Sequence, residues 1–141
     1  MQVLYTAQAL ATGEGRDGHV TTSDGTIDLD LAVPKEMGGA GGAANPEQLF
    51  AAGYAACFHS ALRAVARKAK ADVTNSTVQA QVGIGATGTG GYGLTVTLSV
   101  ELPETDAATA AQLVEQAHQV CPYSAATRGN VDVTLTVGET R

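Results

Sequence analysis

The segment that decides the fold is the stretch 45–70, which reads NPEQLFAAGYAACFHSALRAVARKAK. Asn45 is a favourable N-cap residue, Pro46 suits the first helical position, and Gln48 stands where a capping box needs it. The run 49–58 carries no charge, so a helix built from it is apolar on every side. A helix that is apolar all round is buried all round. The stretch therefore predicts one long, buried central helix from Asn45 to Lys70.

Length and composition narrow the class of protein. The chain has 141 residues, which suits a single domain over residues 1–141. Its net charge of −6 argues against a nucleic-acid partner. The sequence shows neither an N-terminal signal pattern nor a run of about 18 apolar residues, which predicts a soluble, cytoplasmic protein with no membrane partner. Its two cysteines are too few for a disulfide framework and indicate redox chemistry, a metal site or two inert core residues.

The segments on either side of the helix alternate polar and apolar residues with the period of a β-strand. This pattern predicts strands over 3–11, 19–22 and 26–33 before the helix, and over 75–87, 92–102 and 131–137 after it. A second helix is predicted over Ala107–Val120, followed by a short turn over 123–128. The order of these elements predicts an α+β fold in which antiparallel sheets surround the central helix.

The all-round apolarity of the central helix bears on the state of assembly. A chain of this size covers one face of the helix with its own sheet, and a second copy of the chain would cover the rest. We therefore expect a homodimer with the central helices inside. The alternative is a monomer that exposes a face of small residues.

Cys57 and Cys121 are the first candidates for chemistry, although free cysteines are often inert core residues. Burial raises the pKa of a thiol, and the thiolate is the nucleophile, so a reactive cysteine here needs a nearby cation. Arg16, on a loop flanked by glycines, is the best candidate, and a carboxylate such as Glu47 could hold its guanidinium by a bidentate pair. The alternatives without a catalytic role are that Arg16 is solvated on its loop and that Glu47 stabilises the helix through its dipole.

Spacing along the helix places Glu47 about 15 Å from Cys57, which is too far for one arginine to serve both on the same helix. We therefore predict a composite site, in which Glu47 and Arg16 of one subunit meet Cys57 and Cys121 of the other. A zinc site built from Cys57, His59, His118 and Cys121 is a weaker alternative. Residues two apart on a helix point about 200° away from each other, which separates the first two ligands.

Several motifs together resemble one family. They are NPEQLFAAGY at 45–54 followed by Ala56-Cys57-Phe58, the glycine run at 38–42, GRDG at 15–18, and CPYS at 121–124 with TRGN at 127–130. Over nearly its whole length the chain resembles the organic hydroperoxide resistance (Ohr) proteins, on the Ohr side of the Ohr/OsmC superfamily. The resemblance implies an intertwined α+β homodimer with two active sites at the interface.

The resemblance also implies an activity, that of an antioxidant thiol peroxidase of the oxidative stress response, without metal or haem. By analogy Cys57 is the peroxidatic residue and Cys121 resolves its sulfenic acid to a redox-active disulfide. Arg16 would lower the thiolate pKa and polarise the peroxide, while Glu47 orients Arg16.

Substrates and reductant follow from the same resemblance. The family reduces organic and fatty-acid hydroperoxides and takes electrons from protein-bound dihydrolipoamide. The plausible pocket walls here are Phe50, Tyr54, Phe58 and Tyr123. Two alternatives stay open: an OsmC-type peroxidase with another substrate preference, and a non-catalytic dimer that senses thiols or binds a ligand.

Overall fold

The computed structural model describes residues 1–138, and within them it contains two three-stranded sheets and three α-helices. By its internal contacts the chain divides into two compact units, one ending at Leu49 and the other beginning at Phe50. The predicted α+β class is confirmed by this content. The expectation of a single domain over residues 1–141 stays a prediction.

The first unit holds a small antiparallel sheet of β1 (Ala9–Thr12), β2 (His19–Thr22) and β3 (Asp28–Asp30), in that order. The predicted strands over 3–11 and 26–33 are therefore too long. The four residues of β2 pair with Ala9–Thr12 and with the three residues of β3, which limits the length of both neighbours. Short 3-10 turns lie at Gly15–Asp17 and, within the glycine-rich segment before the helix, at Lys35–Met37.

Helix α1 spans Pro46–Ala69, close to the predicted bounds. The capping box is present, because the Gln48 N–H donates to Asn45 Oδ1 (2.8 Å) and the Asn45 N–H donates to Gln48 Oε1 (3.2 Å). The helix ends at Ala69, because the φ of +59° at Lys70 takes the backbone out of the helical region.

Burial of α1 differs from the prediction. Only one face is buried in the single chain, formed by Tyr54, Phe58, Ala61, Leu62 and Ala66. Ala52 and Ala56, which lie on another face, are exposed. The expectation of burial on every side is thus wrong for one copy, because a single sheet covers a single face of a helix.

The length and composition of α1 also meet the criteria for a helix that could cross a membrane, the one such helix in residues 1–138. The core helix of a soluble protein meets the same criteria. Since Phe58 and Leu62 are fully buried in the protein core, α1 is built as a core helix.

The second unit holds a sheet in the order β4-β5-β6, with β4 at Thr77–Ala86, β5 at Tyr92–Glu101 and β6 at Asp132–Val137. Strands β4 and β5 form an antiparallel hairpin, whereas β6 runs parallel to β5. The prediction of antiparallel sheets is therefore wrong for this pair. Parallel neighbours need a long crossover, and helices α2 (Ala107–Val120) and α3 (Pro122–Thr127) provide it.

The core of the second unit joins three elements. Strand β5 contributes Leu98 and Val100, and α2 contributes Leu113 and Val114, all of which pack with the buried face of α1. Cys121, at the end of α2, belongs to the same cluster and has no exposed surface. The core therefore fixes α1 and the end of α2 as a rigid base for the two cysteines.

Candidate active site

The two cysteines lie side by side in the second unit, although 64 positions separate them in the sequence. The Cys121 thiol points at the Cys57 sulfur, with 3.6 Å between the two Sγ atoms. Both are free thiols; Cys57 is half-buried and Cys121 is fully buried. A disulfide has an S–S distance of about 2.05 Å, so a small movement would join this pair.

The backbone around Cys121 explains its fixed position. Cys121 is both the C-cap of α2 and the N-cap of α3, and Pro122 occupies the first position of α3. A residue that precedes proline avoids the helical region, and Cys121 has extended dihedrals of −68° and 123°. Its N–H donates to the Ala117 carbonyl and its own carbonyl accepts from the Ala125 N–H, so both backbone groups are held.

The environment of Cys57 favours the neutral thiol. Burial raises its pKa, as the sequence predicted, and the neighbouring Cys121 raises it further. The backbone N–H of Tyr123 makes a hydrogen bond to Cys57 that acts in the opposite direction and lowers the pKa. A thiolate at Cys57 therefore needs positive charge in addition to this one amide.

Arg16 and Glu47 form the bidentate ion pair that the sequence suggested. Arg16 Nη1 donates to Glu47 Oε1 (2.7 Å) and Arg16 Nη2 donates to Glu47 Oε2 (3.0 Å). The paired carboxylate raises the pKa of Arg16, and the hydrogen bonds from the guanidinium lower the pKa of Glu47. Glu47 is the more enclosed partner, with 15% of its side chain exposed against 38% for Arg16.

The loop that carries Arg16 depends on a glycine. A Cβ at Gly18 would lie 2.2 Å from the Thr12 carbonyl oxygen, so no other residue fits there. The ion pair belongs to the first unit and the cysteine pair to the second. The composite site across a subunit interface stays a prediction.

Three of the four predicted wall residues form an aromatic cluster, namely Phe50, Tyr54 and Tyr123. The ring centroids lie 5.7 Å apart for Tyr54–Tyr123, 5.9 Å for Phe50–Tyr54 and 6.2 Å for Phe50–Tyr123. Gly53 makes room for this cluster, because a Cβ there would lie 3.0 Å from the Tyr123 hydroxyl. Phe58, like Tyr54, is fully buried in the hydrophobic core, and the part of all four residues in substrate binding stays a prediction.

The two histidines of the zinc alternative bind different hydroxyl groups. His59 Nε2 lies 3.0 Å from Ser76 Oγ, and His118 Nδ1 lies 2.8 Å from Ser124 Oγ. Within residues 1–138, no group of three or more histidine, cysteine or acidic side chains could hold a metal ion.

The CPYS and TRGN motifs contain two hydroxyl side chains whose partner lies far away in the sequence. The structure shows that Ser124 and Thr127 are buried and contact the hydroxyl of Tyr54. The signal for this contact is their spacing, since residues three apart lie on one face of a helix.

Comparison with known proteins identifies relatives of this chain. The family model of OsmC-like proteins matches residues 39–136. The chain is 54% identical to an organic hydroperoxide resistance protein of Xanthomonas axonopodis pv. citri, over 96% of each chain. It is 47% identical to the organic hydroperoxide resistance protein OhrB of Bacillus subtilis, over 94% of this chain and 96% of that one.

Solved structures give the same result. The crystal structure of an organic hydroperoxide resistance protein from Legionella pneumophila superposes with a TM-score of 0.93 at 51% identity, covering 98% of this chain and all of that one. A second such protein, from Elizabethkingia anophelis, also superposes with a TM-score of 0.93 at 51% identity and covers 99% of both chains. The chain therefore belongs to the OsmC-like family, on the branch of the organic hydroperoxide resistance proteins.

Proposed function

We propose that this protein is a cysteine-based peroxidase that reduces organic hydroperoxides to alcohols. The observation that carries the proposal is the 3.6 Å separation of the Cys57 and Cys121 sulfurs, which suits a peroxidatic and a resolving thiol. The names of the relatives, which are organic hydroperoxide resistance proteins, support the choice of substrate.

Cys57 is assigned the first step because it is the more accessible of the two thiols. Its thiolate attacks the distal oxygen of the hydroperoxide, a sulfur–oxygen bond forms and the O–O bond breaks. The alkoxide leaves and takes up a proton to give the alcohol. Cys57 is thereby oxidised to a sulfenic acid.

Cys121 is assigned the second step. Its sulfur attacks the sulfenic sulfur of Cys57, and hydroxide leaves and combines with the thiol proton of Cys121 as water. An external dithiol, for which we propose protein-bound dihydrolipoamide, then reduces the disulfide by exchange and is itself oxidised to a cyclic disulfide. No metal or haem takes part in these steps.

Arg16 and Glu47 are proposed to supply the missing positive charge. A guanidinium near the Cys57 sulfur would favour the thiolate and polarise the peroxide O–O bond. The bidentate pair fixes the plane of the guanidinium, which a single hydrogen bond would leave free to rotate. This role requires Arg16 to reach a Cys57, and we propose that it does so within an intertwined, cytoplasmic homodimer.

The aromatic cluster is proposed to bind the organic part of the substrate. Phe50 lies seven positions before Cys57 on α1, which puts both on one side of the helix. Tyr123 is partly exposed and contacts Phe50, so the two rings offer an apolar surface beside the thiol. Such a surface favours a bulky organic hydroperoxide over hydrogen peroxide.

Stopped-flow mixing of the reduced protein with cumene hydroperoxide and with hydrogen peroxide tests the proposal. We expect faster consumption of cumene hydroperoxide and the loss of two free thiols per chain. Cys57→Ser should be inactive, whereas Cys121→Ser should react once and then accumulate higher oxidation states of Cys57. Full turnover by Cys57→Ser would refute the assignment, and a thiol sensor would show oxidation without turnover by dihydrolipoamide.

A further inference from the structure

Four polar side chains next to the cysteines form a buried polar chain that the reaction steps above do not use. Ser124 Oγ lies 2.8 Å from His118 Nδ1 and 2.8 Å from the Tyr54 hydroxyl. The Tyr54 hydroxyl also lies 3.1 Å from Thr127 Oγ1. Ser124 and Tyr54 have no exposed surface, Thr127 is 4% exposed, and His118 is partly buried. We call these four residues the buried polar chain.

Every member of the buried polar chain has a hydrogen-bond partner. Thr127 Oγ1 also lies 3.2 Å from the Ser124 carbonyl oxygen, which accepts from the Arg128 N–H as well. Each of the three hydroxyl groups can both donate and accept, and His118 Nδ1 does either according to its tautomer. Within residues 1–138 no buried side-chain nitrogen or oxygen lacks a partner. Polar networks that are fully satisfied stiffen the structure around them.

The buried polar chain connects the segments that carry the two cysteines. His118 is in the last turn of α2 and Ser124 is in α3, so their bond spans Cys121. Tyr54 lies one turn before Cys57 on α1. Ser124 therefore links the helix end that carries Cys121 to the helix that carries Cys57.

A second side-chain hydrogen bond joins the end of α2 to the end of α3. Arg128, just after α3, donates from Nη2 to the His118 carbonyl (2.7 Å), which is one of the last carbonyl groups of α2. Helix α3 has only six residues and is too short to be stable without such contacts. These side-chain hydrogen bonds therefore add to the backbone hydrogen bonds and the core packing that hold Cys121.

We propose that Ser124 is a positioning residue for the resolving step and acts together with His118, Tyr54 and Thr127. The inference rests on the proposed function. By holding α3 against α1 and α2, the buried polar chain keeps the Cys121 sulfur in reach of the Cys57 sulfenic acid. Disulfide formation then precedes attack by a second hydroperoxide, which would give Cys57 sulfinic acid and a second molecule of alcohol.

The test measures the partition between these two fates. Reduced Ser124→Ala is mixed with increasing excess of cumene hydroperoxide, and the fractions of disulfide and sulfinic acid are determined by intact-mass spectrometry. We expect disulfide formation to slow by about tenfold, so that sulfinic acid appears at about one-tenth of the peroxide excess that the wild type needs. Ser99→Ala is the matched control, since its hydroxyl accepts from Thr136 Oγ1 (3.0 Å) between β5 and β6.

A double variant distinguishes a connected set from separate contacts. Tyr54→Phe keeps the ring and removes the hydroxyl, and we expect it to shift the partition in the same direction as Ser124→Ala. If both residues act through one chain, the double variant is little worse than Ser124→Ala alone. Thr127→Val, which is close in shape to threonine, serves if Ser124→Ala fails to fold. The inference would be overturned if Ser124→Ala gave the same ratio of disulfide to sulfinic acid as the wild type. If Ser124→Ala does not fold, the same result in Thr127→Val would overturn it.

Oxidation by diamide separates this inference from the proposed function. Diamide takes two electrons from a pair of thiols and is reduced to its hydrazine, so disulfide formation is measured without any hydroperoxide. We expect the Ser124→Ala defect in this assay as well, and equal diamide rates for Ser124→Ala and Ser99→Ala would contradict it. A wild-type protein that reacts with diamide but not with hydroperoxides would refute the peroxidase proposal and leave the positioning role standing.

Discussion

Replacing Gly53 by alanine tests the packing beside Cys57. The new Cβ would lie 3.0 Å from the Tyr123 hydroxyl oxygen and 3.2 Å from its Cε2 atom. Carbon atoms prefer separations of about 3.5–4.0 Å, so the ring must move outward by about 0.5 Å. It can do so because Tyr123 is 38% exposed.

Two opposing contributions decide the stability of Gly53→Ala. Alanine in a helix interior is more stable than glycine by about 1 kcal/mol. Displacing Tyr123 weakens its ring contacts with Tyr54 and Phe50, each worth about 0.5–1.5 kcal/mol. The two contributions nearly cancel, so we expect Tm to change by less than about 4 °C.

The effect on reactivity should be larger. The backbone N–H of Tyr123 lowers the Cys57 pKa, and hydrogen bonds to charged groups are worth about 1.5–3 kcal/mol. Losing part of this bond should raise the Cys57 pKa and slow the reaction with cumene hydroperoxide at pH 7 by about threefold to tenfold.

The assays are a thermal unfolding scan, a titration of Cys57 reactivity against pH, and stopped-flow kinetics, all on the reduced protein. Ala64→Gly, at an exposed position of the same helix, measures the helix contribution with the opposite sign. Suppose Gly53→Ala gains as much stability as Ala64→Gly loses, with no change in rate or in Cys57 titration. Such a result would show that contact between Gly53 and Tyr123 does not position the site.

Three further predictions concern other parts of the chain. Asn45→Ala removes the side-chain half of the capping box and should lower the free energy of unfolding by about 1 kcal/mol in denaturant titrations, whereas an unchanged midpoint would contradict the cap. Arg16 lowers the Glu47 pKa below its ordinary 4.5, so the pair stabilises above pH 4.5 and the contribution is lost as the pH falls through the lowered value. The unfolding midpoints of wild type and Glu47→Gln should converge there, and a constant difference would contradict the pairing. His19 is hydrogen-bonded first to Asp30 and also to Asp28, which raises its pKa above 6.5. The contribution of protonated His19 to the free energy of unfolding should be full below pH 6.5 and disappear as the pH rises through the raised pKa. Unfolding midpoints of wild type and His19→Gln, compared at several pH values, check this.

The sequence predicted the central helix well because its signals are local. Asn45, Pro46 and Gln48 mark the start of α1 within four positions, and the capping box forms as expected. The Arg16–Glu47 pair was suggested by chemistry rather than by spacing, since 31 positions separate the two residues. Its bidentate geometry is found in the structure.

The differences arise where the answer depends on distant partners. The pattern at 3–11 alternates, but β2 offers only four residues for pairing, so the strand begins at Ala9. The direction of β6 depends on how α2 and α3 return the chain, which alternation does not encode. The buried polar chain joins Tyr54 to Ser124 across 70 positions, and the local sequence around one residue does not predict the other as its partner.

The distance along the chain between the two cysteines has a consequence for the stability of the protein. A bond between residues 64 positions apart ties the intervening chain into a closed loop. By the chain-entropy estimate, such a loop costs the unfolded state about 4 kcal/mol at 25 °C. The proposed reaction would therefore alternate between a tied and an untied molecule. The disulfide form resists unfolding more strongly, so the protein would be most stable just after it has reacted with a hydroperoxide. Each reduction of the disulfide would return it to the less stable form.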